Sequence, residues 1–168
     1  MGLTRETIEK IVIEHVEAEN ANDMPRVMRT YVEGAVFEDV PQGVLFEGKE
    51  TIAASYQERF DAFPDMVRTI DRMTTGDEGA VTEITMRGVQ KGVYRGLPPR
   101  PEIQSVRIAA HFSVNPEGLI TRETVYYDAL TVAVDLGVLP DLNTRGGRLW
   151  LAITRPGLLL RMIRARLK

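Results

Sequence analysis

The chain has 168 residues, 43% hydrophobic and 27% charged, with a formal net charge of -3. That is the profile of one globular domain able to bury a core. It has no cysteine and two histidines, which excludes a disulfide framework and a thiolate metal site and disfavours a histidine-rich one.

Charge is unevenly placed. Residues 142–168 hold seven basic groups and no acid, leaving 14 basic against 24 acidic groups in residues 1–141. So acidic a body does not suit nucleic acid, and the tail reads as a segment with its own surface or partner. The opening stretch lacks the apolar core of a signal peptide, and Glu6 breaks the myristoylation pattern. No apolar run is long enough to span a bilayer. A cytoplasmic location is expected.

In chain order, Ile8, Ile11, Val12 and Val16 recur at helical spacing, with His15 on the same inward stripe. Asn22-Asp23 caps a second helix with Pro25 in its first turn, Val27, Met28, Tyr31 and Val32 inward, and Gly34 at its end. Short strands at Val36 to Asp39 and Val44 to Phe46 flank the Pro41-Gln42-Gly43 turn. Residues 49–63 form a third helix facing inward through Ile52, Ala53, Tyr56, Phe60 and Phe63.

The period then changes to two. Met66 to Thr74 and Ala80 to Val89 pair around a Gly-rich turn, and Gly92 to Pro101 is a long loop. Gln104 to Val114 and Leu119 to Tyr127 make a final hairpin around Asn115-Pro116-Glu117-Gly118, and Asp128 caps a short helix reaching Leu136. The order is α-α-β-β-α-β-β-β-β, then a helical tail. Hairpin-length connections make the sheet mostly antiparallel, with the helices on one face: an α+β domain with an apolar interior suited to a small ligand.

The most informative stretch is Ala35-Val36-Phe37-Glu38-Asp39-Val40-Pro41, an apolar strand that delivers two carboxylates and stops. Strand alternation turns Glu38 and Asp39 to opposite faces. Should Asp39 meet His15 and His111 in one apolar site, that site could move a proton on a carbonyl compound, with a carboxylate base and imidazole donors for the enolate. His111 shares its face with Ser105, Arg107, Ala109 and Ser113, while Val106, Ile108, Ala110, Phe112 and Val114 share the other. Either face could be the concave one; if the apolar face is inside, His111 is a surface residue. Gly92 and Gly96 lack the following helix of a nucleotide loop, and no cofactor is expected.

The element order resembles the NTF2-like superfamily, most closely SnoaL-like polyketide cyclases and ketosteroid-isomerase-like proteins. The residues that carry the resemblance are Phe37-Glu38-Asp39, Phe46-Glu47-Gly48-Lys49-Glu50-Thr51-Ile52 and Ala62-Phe63-Pro64-Asp65. With them go Thr85-Met86-Arg87-Gly88, Gly92 to Pro99, and Gly118-Leu119-Ile120 running to Tyr126-Tyr127-Asp128 and Leu136-Gly137. The resemblance, over about residues 5–139, implies a cone of curved, mostly antiparallel sheet wrapped around three N-terminal helices; the domain is taken as 1–141, and 142–168 reads from its own residues as a basic amphipathic extension. It puts Asp39 in the place of the isomerase general base, His15 in the place of an oxyanion donor, and Ala110 or His111 in the place of a second donor. The acid that SnoaL-like cyclases carry on the last strand falls on Val125, and the His of a common loop motif on Gln90.

The expectation is thus a cofactor-free proton-transfer enzyme of isomerase or cyclase type, acting on a small apolar carbonyl compound. Asp39, His15 and His111 are its catalytic candidates, and Tyr31, Tyr56, Phe63, Tyr126 and Asp128 would contact substrate. The rivals are a non-catalytic lipophilic carrier and a water-activating epoxide hydrolase or dehydratase. A homodimer is expected through the uncovered sheet face. The tail, with Trp150 and Leu158-Leu159-Leu160, is expected to pack on a protein surface rather than on an anionic membrane.

Overall fold

The computed structural model describes residues 3–157, 161, 164 and 165. The chain divides into two compact units, Met1–Ala129 and Leu130–Lys168.

In the first unit, α1 (Arg5–Asn20) begins where the Thr4 hydroxyl accepts from the Thr7 amide. It buries Ile8, Val12, His15, Val16 and Glu19, a stripe at helical spacing that ends in a carboxylate. Asp23 caps α2 (Met24–Thr30) through the Arg26 amide. This helix stops at Thr30, not at Gly34, and Tyr31 enters β1 (Tyr31–Asp39) with no loop between. The early switch has a local cause: Thr30 turns its hydroxyl onto the Val27 carbonyl, and Tyr31 pairs with Ile120 instead of continuing the helix. Val40–Gln42 then makes a 3-10 turn closed by Gly43 at φ 64, and β2 (Val44–Glu47) folds back on β1.

The helix α3 (Lys49–Ala62) buries Ile52, Tyr56 and Phe60, one side chain per turn. Four strands follow: β3 (Val67–Thr75), β4 (Gly79–Gln90), β5 (Arg100–Val114) and β6 (Ile120–Tyr127). The sheet order is β2-β1-β6-β5-β4-β3. Each neighbouring pair is antiparallel except β1 with β6, which run parallel.

α1 lies against β3 and β4, and α3 against β1 and β2, so the helices share one face of the sheet. The core between them holds Ile8, Val12, Val27, Phe37, Ile52, Tyr56, Phe112 and Ile120. Burying each large apolar side chain contributes roughly 1.5–3 kcal/mol, offset by the entropy of ordering it. The architecture is the expected α+β one, with an unclosed mixed sheet.

The second unit contains nearly all of α4 (Ala129–Asp135) and α5 (Arg145–Thr154). Gly137 turns the chain at φ 71 just after α4. The Thr144 hydroxyl caps α5 by accepting from the Gly147 amide. Leu149, Trp150 and Ile153 on α5 are 62%, 43% and 71% exposed. The Leu158-Leu159-Leu160 run lies outside the described residues. Among the described residues, no helix is long and apolar enough to cross a membrane.

Candidate functional site

The helix-facing side of the sheet carries a buried polar network. His15, on the inner stripe of α1, has no exposure to solvent. Its Nδ1 lies 2.8 Å from the Thr30 hydroxyl, whose own proton goes to the Val27 carbonyl 2.7 Å away. Thr30 must therefore accept, and Nδ1 carries a proton. On the other side, Nε2 lies 3.0 Å from Glu19 Oε1, 3.1 Å from the Tyr56 hydroxyl and 3.6 Å from Glu123 Oε2.

The Tyr56 hydroxyl is 2.7 Å from Glu19 and 3.1 Å from Glu123, so one proton serves two carboxylates. Tyr31 donates a hydrogen bond to Glu123, and Arg68 closes the far side by pairing with Glu19. Asn20 holds the Arg68 backbone at both ends, accepting from its amide at 2.7 Å and donating to its carbonyl at 2.9 Å.

The protonation states follow from this packing. Burial pushes His15 toward neutrality, but the Glu123 and Glu19 carboxylates beside Nε2 outweigh it and raise its pKa to about 9. Burial pushes Glu19 up, but the Arg68 and His15 charges and the Tyr56 hydroxyl together hold it down, at about 2. Tyr31 and Tyr56 are raised well above the ordinary tyrosine value, by burial first and then by the carboxylates beside them. They stay protonated and act as donors. Two cations thus face two carboxylates, and the network is closed on itself.

A second cluster stands further along the same face. Asp39 is 5% exposed. It accepts from the Tyr127 hydroxyl at 2.9 and 3.1 Å and from the Gln42 amide at 3.3 Å, while the Gln42 side chain donates to Tyr127. The strand pairing creates this: Asp39 sits beside Val125 in the parallel ladder, two residues from Tyr127. Burial, and then the Asp39 carboxylate, raise Tyr127 above the ordinary tyrosine value, so it donates.

Between the clusters lies Arg59 of α3. Its guanidinium carbon is 4.7 Å from the Phe37 ring centroid and 4.3 Å from that of Tyr56, a cation held on two aromatic faces. Nη2 reaches the Ser55 hydroxyl at 3.3 Å, while the buried Nε has no hydrogen-bond partner among the described residues. Burial opposes its charge, but the oxygens of Tyr56 and Tyr94 and the carboxylates Glu19 and Glu123 outweigh burial and raise its proton affinity. No carboxylate forms an ion pair with Arg59 among the described residues. Phe37 precedes Asp39 by two positions on β1, so Arg59 and Asp39 flank one stretch of the inner face.

The sequence-derived candidates separate on this frame. Asp39, His15, Tyr31, Tyr56 and Phe63 are buried on the helix side, and Phe63 meets Tyr94 edge-on at 5.3 Å. Glu38 faces the other way, onto Arg122. His111 is exposed on the face opposite Ala110 and Phe112. The apolar side of β5 is the inner one, so a donor role for His111 is excluded. Tyr126, 51% exposed on that same outer face, is excluded as a substrate contact, and Tyr127 takes the inner position. Asp128 is exposed beyond the end of β6. His15 is inside but is not a free neutral donor, because both ring nitrogens are committed to Thr30 and Glu19.

Val125 occupies the place of the family's last-strand acid and carries none; Glu123 is buried one strand period earlier on the same face. Glu19, Glu123, Arg59 and Arg68 are not singled out by the sequence, while of the alternating pair Tyr126 and Tyr127, either of which could line the interior, it is Tyr127 that turns inward. Glu19 carried a readable signal, lying at i+4 from His15. Among the described residues, His15, Glu19 and Glu123 form a set whose ligand atoms lie within 4.8 Å of one another. Arg68 and the His15 protons already balance both carboxylates there.

The family model for the SnoaL-like domain matches residues 12–123. A Jannaschia sp. CCS1 protein, whose name places it with the SnoaL-like polyketide cyclases, superposes with TM-score 0.73 at 19% identity, covering 81% of this chain and 95% of that one. A Catenulispora acidiphila protein with a ketosteroid isomerase-like fold, in complex with trimethylamine, gives TM-score 0.65 at 18% identity over 76% and 92%. SalBIII, an epoxide hydrolase/cyclase-like enzyme of pyran ring formation in the polyether salinomycin, gives 0.66 at 16% over 75% and 94%. At these identities the likeness is one of fold, the NTF2-like cone. No curated protein matches the chain.

Proposed function

This chain belongs to the SnoaL-like domain family, and we propose that it is a cofactor-free proton-transfer enzyme of isomerase or cyclase type. Its substrate is a small, mainly apolar compound with an acidic carbon next to a carbonyl. The observation that carries the reading is that Asp39 and Arg59 both border Phe37 on the inner face, Asp39 two positions along β1 and Arg59 over its ring. One is a buried carboxylate oriented by Tyr127, the other a guanidinium on two aromatic rings; among the described residues Nε has no partner and neither group is neutralised by an ion pair.

In this reading Asp39 removes a proton from the carbon, and Tyr127 keeps its carboxylate aimed. The electron pair moves onto the carbonyl oxygen, where Arg59 faces the developing charge in place of the two histidines expected from sequence. The enolate then either takes the proton back at another carbon, which is isomerisation, or attacks a second carbonyl of the same molecule. In the second case a carbon–carbon bond closes a ring, and Asp39 returns its proton to the new alkoxide. The network of His15, Glu19, Tyr31, Tyr56 and Glu123 holds the wall against which Arg59 is stacked.

The test needs no knowledge of the natural substrate. A panel of cyclic 1,3-diketones and unsaturated ketones is incubated in deuterated buffer, and exchange at the carbon acid is followed by NMR. The wild-type chain should accelerate exchange. Asp39→Asn should lose about 10²–10⁴-fold and Arg59→Met about 10²–10³-fold. Binding without exchange would assign the chain to ligand carriage. Exchange by Asp39→Asn at the wild-type rate would remove Asp39 as the base.

A further inference from the structure

We infer that the second unit is a peripheral membrane-binding element, with α5 lying in the interface of a bilayer that carries anionic lipids. This inference is independent of the chemistry proposed for the first unit. The helix α5 has two unlike sides. Leu149, Trp150 and Ile153 fall within roughly 100° of one another on a helical projection, and all three stand exposed. Leu142, just upstream, is also exposed at 45%. Arg145 and Arg148 border this strip on one side, and Arg155, Arg161 and Arg164 follow it, all exposed. Gly147, by contrast, is buried against the Asp141 carbonyl: an added Cβ would lie 2.0 Å from that oxygen. The glycine face is thereby fixed toward its own unit, and the apolar strip is presented outward.

Charge decides between a lipid surface and a protein one. From residue 142 onward the chain has seven basic groups and no acid, so nothing within the segment cancels its attraction to anionic headgroups. The acidic body of another copy is a weaker match. Part of its carboxylate charge is already taken up within the fold: Glu14 and Glu17 with Arg26, Glu83 with Arg72 and Arg107, Asp65 with Lys91, Glu38 with Arg122. A short amphipathic helix with Trp and Leu between arginines suits the headgroup boundary, where apolar side chains insert and guanidinium groups reach back to phosphates. The helix is far too short to span.

The chain contains one tryptophan, so its intrinsic indole fluorescence reports on α5 alone. The full-length protein is titrated with vesicles of phosphatidylcholine, and with vesicles of a phosphatidylcholine–phosphatidylglycerol mixture; binding is read by co-sedimentation and by Trp150 emission. Expected is a blue shift and at least about tenfold tighter partition on the anionic vesicles. At about fivefold per arginine, Arg145→Ala with Arg148→Ala should weaken partition roughly 25-fold. Ile153→Glu should abolish the blue shift with the fold intact by circular dichroism. Equal binding to neutral and anionic vesicles would overturn the inference, as would no binding to either. So would a lipid-free Trp150 shift that tracks protein concentration, which would mean that a second copy covers the strip.

Discussion

Replacing His15 by Gln removes one titrating group from the centre of the first unit, and the structure sets the size of the effect. In the folded chain His15 holds its proton up to about pH 9, because Glu123 and Glu19 outweigh its burial; in the unfolded chain the ordinary value of 6.5 applies. At about 1.4 kcal/mol for each tenfold change in proton affinity, holding the proton over that interval is worth about 3 kcal/mol of stability. The folded pKa is the higher one. The contribution is therefore complete below pH 6.5, declines as pH rises from there, and is gone above about 9. Urea unfolding of wild type and His15→Gln, both on a His111→Asn background, from about pH 6 to about pH 10, isolates this one imidazole. The stability difference between the two chains should shrink by about 3 kcal/mol across that range, with most of the change between 6.5 and 9. A difference that stays flat would mean that His15 is neutral in the folded chain, and the ion network described above would be wrong.

Three further outcomes are expected. Tyr127→Phe should slow carbon-acid exchange about tenfold by freeing the Asp39 carboxylate, whereas Glu38→Gln, on the opposite face, should leave it unchanged in the same NMR assay. Gly92→Ala should lower stability by about 1–3 kcal/mol in thermal or urea unfolding, since its Cβ would lie 2.4 Å from the Asp61 carbonyl oxygen. By light scattering at micromolar concentration the chain should run as a homodimer of 18.8 kDa protomers, paired through the outer sheet face around Val81, His111 and Tyr126. Tyr126→Glu should shift it to the monomer, and a wild-type monomer would refute the pairing.

The fold was legible where one period dominated. The stripe Ile8–Val12–His15–Val16 and the one-per-turn run Ile52–Tyr56–Phe60 mark α1 and α3 without ambiguity, and the alternation along residues 104–114 marks β5. It failed at Tyr31, whose side chain suits helix and strand alike. There, pairing with Ile120, remote in sequence, decided the outcome. For the site, Asp39 was readable because a strand, a carboxylate and a proline turn occur together. The rest was not, for two reasons. A strand has two faces, and only packing shows which is inside: Ala110 and Phe112 are inner, so His111 is outer. And Arg59 lies on a helix that otherwise reads as an amphipathic surface element; what makes it notable is the lack of a carboxylate partner among the described residues, which no local pattern records.

The parallel pairing of β1 with β6 has a consequence for how the protein comes into being. The carboxylate at Asp39 and the hydroxyl that aims it, at Tyr127, belong to the first and last strands of the sheet, and Glu123 meets Tyr31 across the same seam. During synthesis the N-terminal helices and β1 leave the ribosome long before β6. Until β6 docks, β1 has only β2 beside it in the sheet, and the network around His15 lacks one of its two carboxylates. Closure of this seam over such a long loop is intrinsically slow. Proton transfer at Asp39 should therefore appear in one late step, and a nascent or truncated chain lacking β6 should have none of it.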